Sequence, residues 1–125
     1  MTHELEQKVR DSFIALDSMN MDSFYNQLAD DVEMVDEITQ KWNRGKSIVV
    51  ESLNAIQGAV TDINSEVTDF SIIEAGDVVI VTCTLNQSYV YEGQTVSIVA
   101  PTTNVFRKDA DGEWKYVLMH TLPFA

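Results

Sequence analysis

The apolar residues in the first half of the chain recur every three or four positions, which is the spacing of one face of a helix. The pattern predicts three helices: one from about Glu4 to Ser18, a short one opening near Asp22, and one from about Lys46 to Val60. Their apolar positions are Leu5, Val9, Phe13 and Leu16, then Phe24, Tyr25 and Leu28, and then Val49, Leu53, Ile56 and Val60. A short strand ending at Asp36 and an irregular polar segment are expected between the second and third helices.

After Asn64 the pattern changes to runs rich in β-branched residues, separated by turns that contain Gly and Asp. The predicted strands are Ser65 to Ile73, Val78 to Tyr91, Thr95 to Lys108 and Glu113 to Thr121. Helices first and a meander of strands afterwards predict a single α+β domain over residues 1–125. Its three helices are expected to pack on one face of a strongly curved antiparallel sheet.

The short strand that ends at Asp36 carries the clearest indication of chemistry. Val32 and Met34 alternate with polar or outer positions, so Asp36 falls on the same side as these two apolar residues. If that side faces the core, a carboxylate is placed where water cannot stabilise its charge, which suits a general base. The alternatives are that Asp36 is a surface acid, or that a slip of one residue turns Glu37 inward instead.

Composition and charge exclude several classes of partner. The 125 residues carry a net charge of −12, which argues against binding to nucleic acid or to an anionic membrane surface. Residues 1–10 are charged and do not form a signal peptide, and no apolar run approaches the ~20 residues of a membrane span. Cys83 is the only cysteine, so no internal disulfide is possible. These features lead us to expect a cytoplasmic protein.

The chain lacks the residue clusters of several common catalytic sites. Two histidines, His3 and His120, and a single cysteine do not form a metal-ligand cluster of the usual spacing. No Gly-x-Ser-x-Gly elbow and no glycine-rich phosphate loop are found. No metal and no cofactor are therefore expected.

The strand from Val78 to Tyr91 begins with apolar residues on both of its faces. Val79 and Val81 lie on one face, and Val78 and Ile80 lie on the other. Helices cover one face of the sheet, so the second apolar face requires another cover. A second copy of the chain is the simplest cover, and we expect a homodimer.

Four motifs in order resemble the nuclear-transport-factor-2-like superfamily, and in particular its ketosteroid-isomerase and SnoaL-like polyketide-cyclase branches. They are Ala29-Asp30-Asp31, Arg44-Gly45-Lys46, the stretch from Ala100-Pro101 to Phe106-Arg107, and Gly112-Glu113-Trp114-Lys115. The resemblance covers nearly the whole chain. It implies a cone-shaped α+β barrel in which a bent sheet wraps around the first helix and encloses a pocket for a small hydrophobic molecule.

The resemblance also implies roles for individual residues. Asp36 aligns with the aspartate that acts as the base, and Asn104 aligns with an aspartate that helps to stabilise the enolate oxygen. An asparagine can donate the same hydrogen bond through its NH₂ group. The position of the catalytic tyrosine falls on Ser12, whose hydroxyl is shorter and less acidic. The other expected pocket walls are Phe13, Met34, Trp42 and Phe106, with Trp42 near the entrance.

His120 is a further candidate, because a pocket histidine near the end of the last strand could act as an acid or base. The sequence leaves open which face of that strand lines the pocket, and a place at a dimer interface is the alternative. The leading hypothesis is an isomerase-like or cyclase-like enzyme that removes a proton next to a carbonyl. A non-catalytic ligand-binding or dimerisation module is the main alternative. A hydrolase or dehydratase that uses His120 and a carboxylate is the third.

Overall fold

A computed structural model describes residues 3–36 and 38–122 of the chain. The helices and strands, labelled in chain order, are α1 (Glu4–Asp17), α2 (Asp22–Tyr25), β1 (Leu28–Val35), β2 (Asn43–Arg44), α3 (Lys46–Ala59), β3 (Val60–Ala75), β4 (Val78–Tyr91), β5 (Gln94–Lys108) and β6 (Trp114–Thr121). The three predicted helices are confirmed, although α2 stops at Tyr25 and Leu28 already belongs to β1. The strand predicted from Ser65 starts at Val60, directly after α3.

The strands form one six-stranded sheet in the order β2-β1-β6-β5-β4-β3. Strands β3 to β6 make the predicted antiparallel meander. The expectation of a wholly antiparallel sheet is wrong at one place, because β1 pairs with β6 in parallel. The sheet is curved and unclosed, with β2 and β3 at its edges, and the helices pack against it in an α+β arrangement.

Bulges account for much of the bending of the long strands. The pairing of β3 with β4 shifts register twice, and Asp62 and Asp69 have positive φ angles at these two places. A bulge inserts an unpaired residue and increases the local twist, so the strand turns around the helices. A third shift in β6 places Tyr116 opposite Phe106 and Leu118 opposite Val105, which leaves Val117 as the extra residue.

The core lies between the helices and the concave face of the sheet. Leu5 and Val9 of α1 and Val49 of α3 have no exposed surface. Along β4 every second side chain from Val79 to Tyr89 is buried, whereas the residues between them are partly exposed. In the described residues, no helix is long and apolar enough to cross a membrane.

The convex face of the sheet carries a row of apolar side chains that none of the helices in the described residues covers. Ile73, Ile80, Val105 and Leu118 are register partners on four neighbouring strands, and we call them the outer row. Ile73 exposes 49% of its surface, and the other three are partly exposed.

Candidate functional site

A cavity of about 70 Å³ lies between α1, α3 and the concave face of the sheet. Its apolar walls are Phe13, Leu16, Met21, Phe24, Met34, Val35, Leu53, Ile56 and Met119, and its polar walls are Ser12, Asp36, Thr102, Asn104, Tyr116 and Thr121. A mostly apolar wall with a few converging polar groups is typical of a site for a small organic molecule.

Asp36 follows β1 and lines this cavity with 6% of its surface exposed, as the alternation along the strand predicts. Its carboxylate also closes the turn that follows. Oδ1 accepts from the backbone N–H groups of Ile38 at 2.8 Å and Thr39 at 2.7 Å, and Oδ2 accepts from the Thr39 hydroxyl at 2.6 Å. These bonds fix the carboxylate at the cavity wall. Glu37, the alternative acid, lies outside the described residues.

Tyr116 is one of three polar wall residues that the sequence did not reveal, the others being Thr102 and Thr121. Its hydroxyl lies 2.6 Å from Ser12 Oγ, and Ser12 Oγ is 2.8 Å from the carbonyl oxygen of Lys8. The Tyr116 hydroxyl also lies 3.4 Å from the same carbonyl oxygen, so either hydroxyl can be the donor of the pair while the other donates to Lys8. Burial raises the pKa of Tyr116 well above its usual value, and the Ser12 hydroxyl offsets only part of that rise. Tyr116 therefore keeps its proton and remains a hydrogen-bond donor.

Two aromatic rings hold Tyr116 in place. The Phe106 ring lies 4.3 Å from the Tyr116 ring, centroid to centroid, and the Phe24 ring lies 5.4 Å from it. Phe106 itself is fully buried behind Tyr116 and is not part of the cavity wall, contrary to the sequence prediction. Its contribution is to position the tyrosine.

Asn104 lines the cavity from β5 and is buried, as expected. Its Nδ2 donates a long hydrogen bond of 3.3 Å to the carbonyl oxygen of Val81. An amide NH₂ has two N–H groups, so one more is available for a ligand. Thr102 and Thr121 lie nearby on the same face, with their hydroxyl oxygens 3.4 Å apart.

His120 and Trp42 are not among the residues that line the cavity, so His120 takes the second of the two places that the sequence left open, outside the cavity wall. The bulge at Val117 changes which side chains of β6 point inward, so Tyr116, Met119 and Thr121 are buried whereas His120 is not. His120 instead contacts the ring of Trp42 at a centroid distance of 5.8 Å, and Trp42 is 45% exposed. The remaining predicted wall residues, Ser12, Phe13 and Met34, do line the cavity.

Other chemistries find little support in the structure. Burial raises the pKa of Cys83 from 9.0 to about 11, with the charge of Arg10 opposing the shift, so its sulfur is a thiol and a poor nucleophile at neutral pH. Within residues 3–36 and 38–122, no three His, Cys, Asp or Glu side chains are grouped closely enough to hold a metal ion.

The curved sheet with its three helices has the NTF2-like α+β fold. The model of the SnoaL-like domain matches residues 5–121, and the chain therefore belongs to the SnoaL-like family. A comparison with curated proteins finds no match.

Solved structures share the fold at low sequence identity. A candidate dehydratase of the NTF2-like family from Streptomyces avermitilis is 23% identical, with a TM-score of 0.84 over 97% of this chain and 94% of that one. A candidate aromatic ring hydroxylase from Novosphingobium aromaticivorans is 14% identical, with a TM-score of 0.85 over 97% and 87%. The CaMKII hub of S. rosetta is 18% identical, with a TM-score of 0.79 over 96% and 94%. These names include two candidate enzymes and a hub, so the likeness identifies the fold and leaves the activity open.

Proposed function

We propose that the cavity binds a small, largely apolar molecule that carries a carbonyl group. The observation that supports this proposal is the arrangement of its wall, where apolar side chains surround hydroxyl, amide and carboxylate groups. Tyr116 and Asn104 are neutral donors suited to a carbonyl oxygen, and Asp36 is an acceptor on the same wall. A carbonyl oxygen needs hydrogen-bond donors, and the C–H group next to it needs a proton acceptor. Both kinds of group line this one cavity.

In the proposed reaction, Asp36 removes a proton from the carbon next to the carbonyl. The electrons of that C–H bond form the enolate, and hydrogen bonds from Tyr116 and Asn104 stabilise the charge on its oxygen. Return of the proton to a different carbon completes an isomerisation. In a cyclisation the enolate carbon attacks a second carbonyl of the same molecule, and the resulting alkoxide takes the proton back from Asp36. Tyr116 would redirect its proton from Ser12 or from the carbonyl oxygen of Lys8 to the ligand oxygen. It would thus supply the phenol that the first helix lacks at Ser12.

Ultraviolet detection of double-bond conjugation in a β,γ-unsaturated ketosteroid tests this chemistry. Asp36→Asn is the informative variant, because an asparagine oxygen can still accept hydrogen bonds from Ile38 and Thr39 while it no longer takes up a proton. Glu33→Gln, a change of an acid on the same strand outside the cavity wall, is the matched control. Activity that is lost in Asp36→Asn and kept in Glu33→Gln supports the base. Activity that is equal in all three proteins contradicts it.

The second candidate is a non-catalytic binding or dimerisation module of the same fold. Asp36 already accepts three hydrogen bonds from its own turn, which is also what a purely structural aspartate would do. Relatives named as hub or association domains support self-association in this fold, and the outer row is the surface we propose for a homodimer. This candidate predicts ligand binding or dimerisation without turnover.

A hydrolase that pairs His120 with a cavity carboxylate is disfavoured, because His120 is not part of the cavity wall.

A further inference from the structure

Gln87 is a buried polar residue on the concave face of β4, with 4% of its surface exposed. Its Nε2 donates to Ser65 Oγ at 3.1 Å, and the Ser65 hydroxyl donates to Asp17 Oδ1 at 2.7 Å. Because the only proton of that hydroxyl goes to Asp17, the serine oxygen must accept from Gln87. The amide nitrogen of Gln87 therefore faces Ser65, and its oxygen points elsewhere.

The amide oxygen of Gln87 is buried without a donor. In the part of the chain that the structure describes, no hydrogen-bond donor reaches Gln87 Oε1. A buried acceptor without a partner is costly, and such groups are normally bonded to a ligand or to ordered water. Gln87 lines a small cavity of about 10 Å³, so space for a donor is next to it.

The small cavity adjoins the main one. Leu16 and Ile56 line both of them and so form the wall between the two. Leu16 is only partly buried, whereas Ile56 is buried and β-branched, so Leu16 is the freer of the two to change rotamer. A rotamer change at Leu16 is the movement by which one ligand could occupy both spaces.

We propose that Gln87 Oε1 is a binding subsite for a hydrogen-bond donor at the far end of the ligand. The ligand class is then an elongated, apolar molecule with a carbonyl at the Tyr116 end and a hydroxyl or N–H group at the Gln87 end. This inference rests on the proposed function, since it assigns the second end of the molecule that the main cavity binds. A neutral amide oxygen favours an uncharged donor such as an alcohol, a phenol or an amide N–H.

A pair of naphthyl ketones tests the subsite by isothermal titration calorimetry. The probes are 2-acetonaphthone and 6-hydroxy-2-acetonaphthone, which differ by one hydroxyl at the end opposite the carbonyl. We expect the hydroxylated compound to bind the unmodified protein about tenfold more tightly. In Gln87→Leu that advantage is expected to vanish, while the affinity for 2-acetonaphthone stays within about twofold. Gln87→Met serves the same purpose if the leucine variant does not fold.

Gln27→Leu is the matched control. Gln27 Oε1 is also buried and without a donor in the described residues, but Gln27 is not in the wall of either cavity. This variant should keep the tenfold preference.

Leu16→Ala should strengthen binding of the hydroxylated compound by severalfold, because it opens the wall between the cavities.

The outcomes separate the two proposals. Equal binding of both compounds to the unmodified protein overturns the Gln87 subsite and leaves the carbonyl site standing, with ordered water as the partner of Gln87. An unchanged hydroxyl preference in Gln87→Leu overturns the subsite as well. Failure of 2-acetonaphthone to bind at all contradicts the proposed function itself, and the subsite with it.

Discussion

Tyr116 on the last strand and Ser12 on the first helix meet through their hydroxyl groups, whose oxygens are 2.6 Å apart although the residues are 104 positions apart in the chain. The pair lies on the wall of the main cavity. It provides a phenolic donor in a protein whose first helix carries only a serine at the position where the resemblance expects a tyrosine.

Tyr116→Phe tests the role of this phenol. If Tyr116 stabilises the enolate oxygen, removing its hydroxyl should lower kcat by about 10²- to 10³-fold, the effect typical of losing one oxyanion donor. Steady-state kinetics with the β,γ-unsaturated ketosteroid measure the change. Ser12→Ala is the comparison variant, since it removes the neighbour of Tyr116 but leaves the phenol in place, and its kcat should fall by much less. Equal losses in the two variants would contradict the assignment of Tyr116 as the donor.

Asp36→Ala should destabilise the protein independently of any activity. The substitution removes the acceptor for two backbone N–H groups and one hydroxyl in a largely buried turn, which costs about 1–3 kcal/mol of unfolding free energy. Asp36→Asn should cost less because it keeps an oxygen acceptor. Urea unfolding followed by circular dichroism measures both. An Asp36→Ala protein as stable as the unmodified one would show that the turn does not depend on the carboxylate.

The stability of the protein should fall at alkaline pH. The pKa of Cys83 is raised on folding, from 9.0 to about 11, because the charged thiolate is disfavoured in the core. Because the pKa of Cys83 is higher in the folded state, the contribution of its neutral thiol to the unfolding free energy is complete below pH 9. That contribution is lost as the pH rises toward 11. The loss is of the order of 2 kcal/mol. Thermal melts of the unmodified protein and of Cys83→Ala between pH 8 and pH 11 measure it.

In Cys83→Ala the melting temperature should be lower at pH 8, because the smaller side chain leaves a cavity. It should also decline less between pH 9 and pH 10. The decline that remains should begin above pH 10, because a tyrosine in the unfolded chain loses its proton there while burial raises the pKa of Tyr116 in the folded protein. An identical pH dependence in the two proteins would show that Cys83 does not contribute.

Ile80→Lys tests the proposed homodimer. Ile80 lies in the middle of the outer row, opposite Ile73 on β3 and Val105 on β5. A charge there would be buried in a sheet-to-sheet interface without a partner, so the variant should be monomeric in analytical ultracentrifugation. Ile14→Lys is the control, because Ile14 on α1 is 63% exposed and lies away from this face. A dimer that survives Ile80→Lys would exclude the outer row as the interface.

The periodicity of apolar residues predicted most of the helices and strands. The strand predicted from Val78 to Tyr91 has the same bounds in the structure. The alternation that ends at Asp36 places its side chain on the inner face, where it is buried. The two-residue strand β2 was missed, because two residues do not establish a period. The parallel pairing of β1 with β6 was missed as well, because it depends on long-range packing rather than on local pattern.

The candidate site was predicted less completely, and for one main reason. A strict alternation along the last strand puts Tyr116 and His120 on the same face, but the extra residue at Val117 separates them. Tyr116 therefore points into the cavity and His120 points away from it. Nothing in the residues around Val117 marks a bulge, so only the register with β5 reveals the change.

The measurement that tests the central claim most directly is the carbon-13 NMR shift of the carbonyl of 2-acetonaphthone, labelled at that carbon, in the presence of the protein. If Tyr116 donates to the ligand oxygen, the carbonyl resonance should move downfield on binding to the unmodified protein and return most of the way in Tyr116→Phe. Gln27→Leu should leave the bound shift unchanged. Binding with the same carbonyl shift in the unmodified protein and in Tyr116→Phe would contradict the claim that this cavity holds a carbonyl compound by its oxygen at Tyr116.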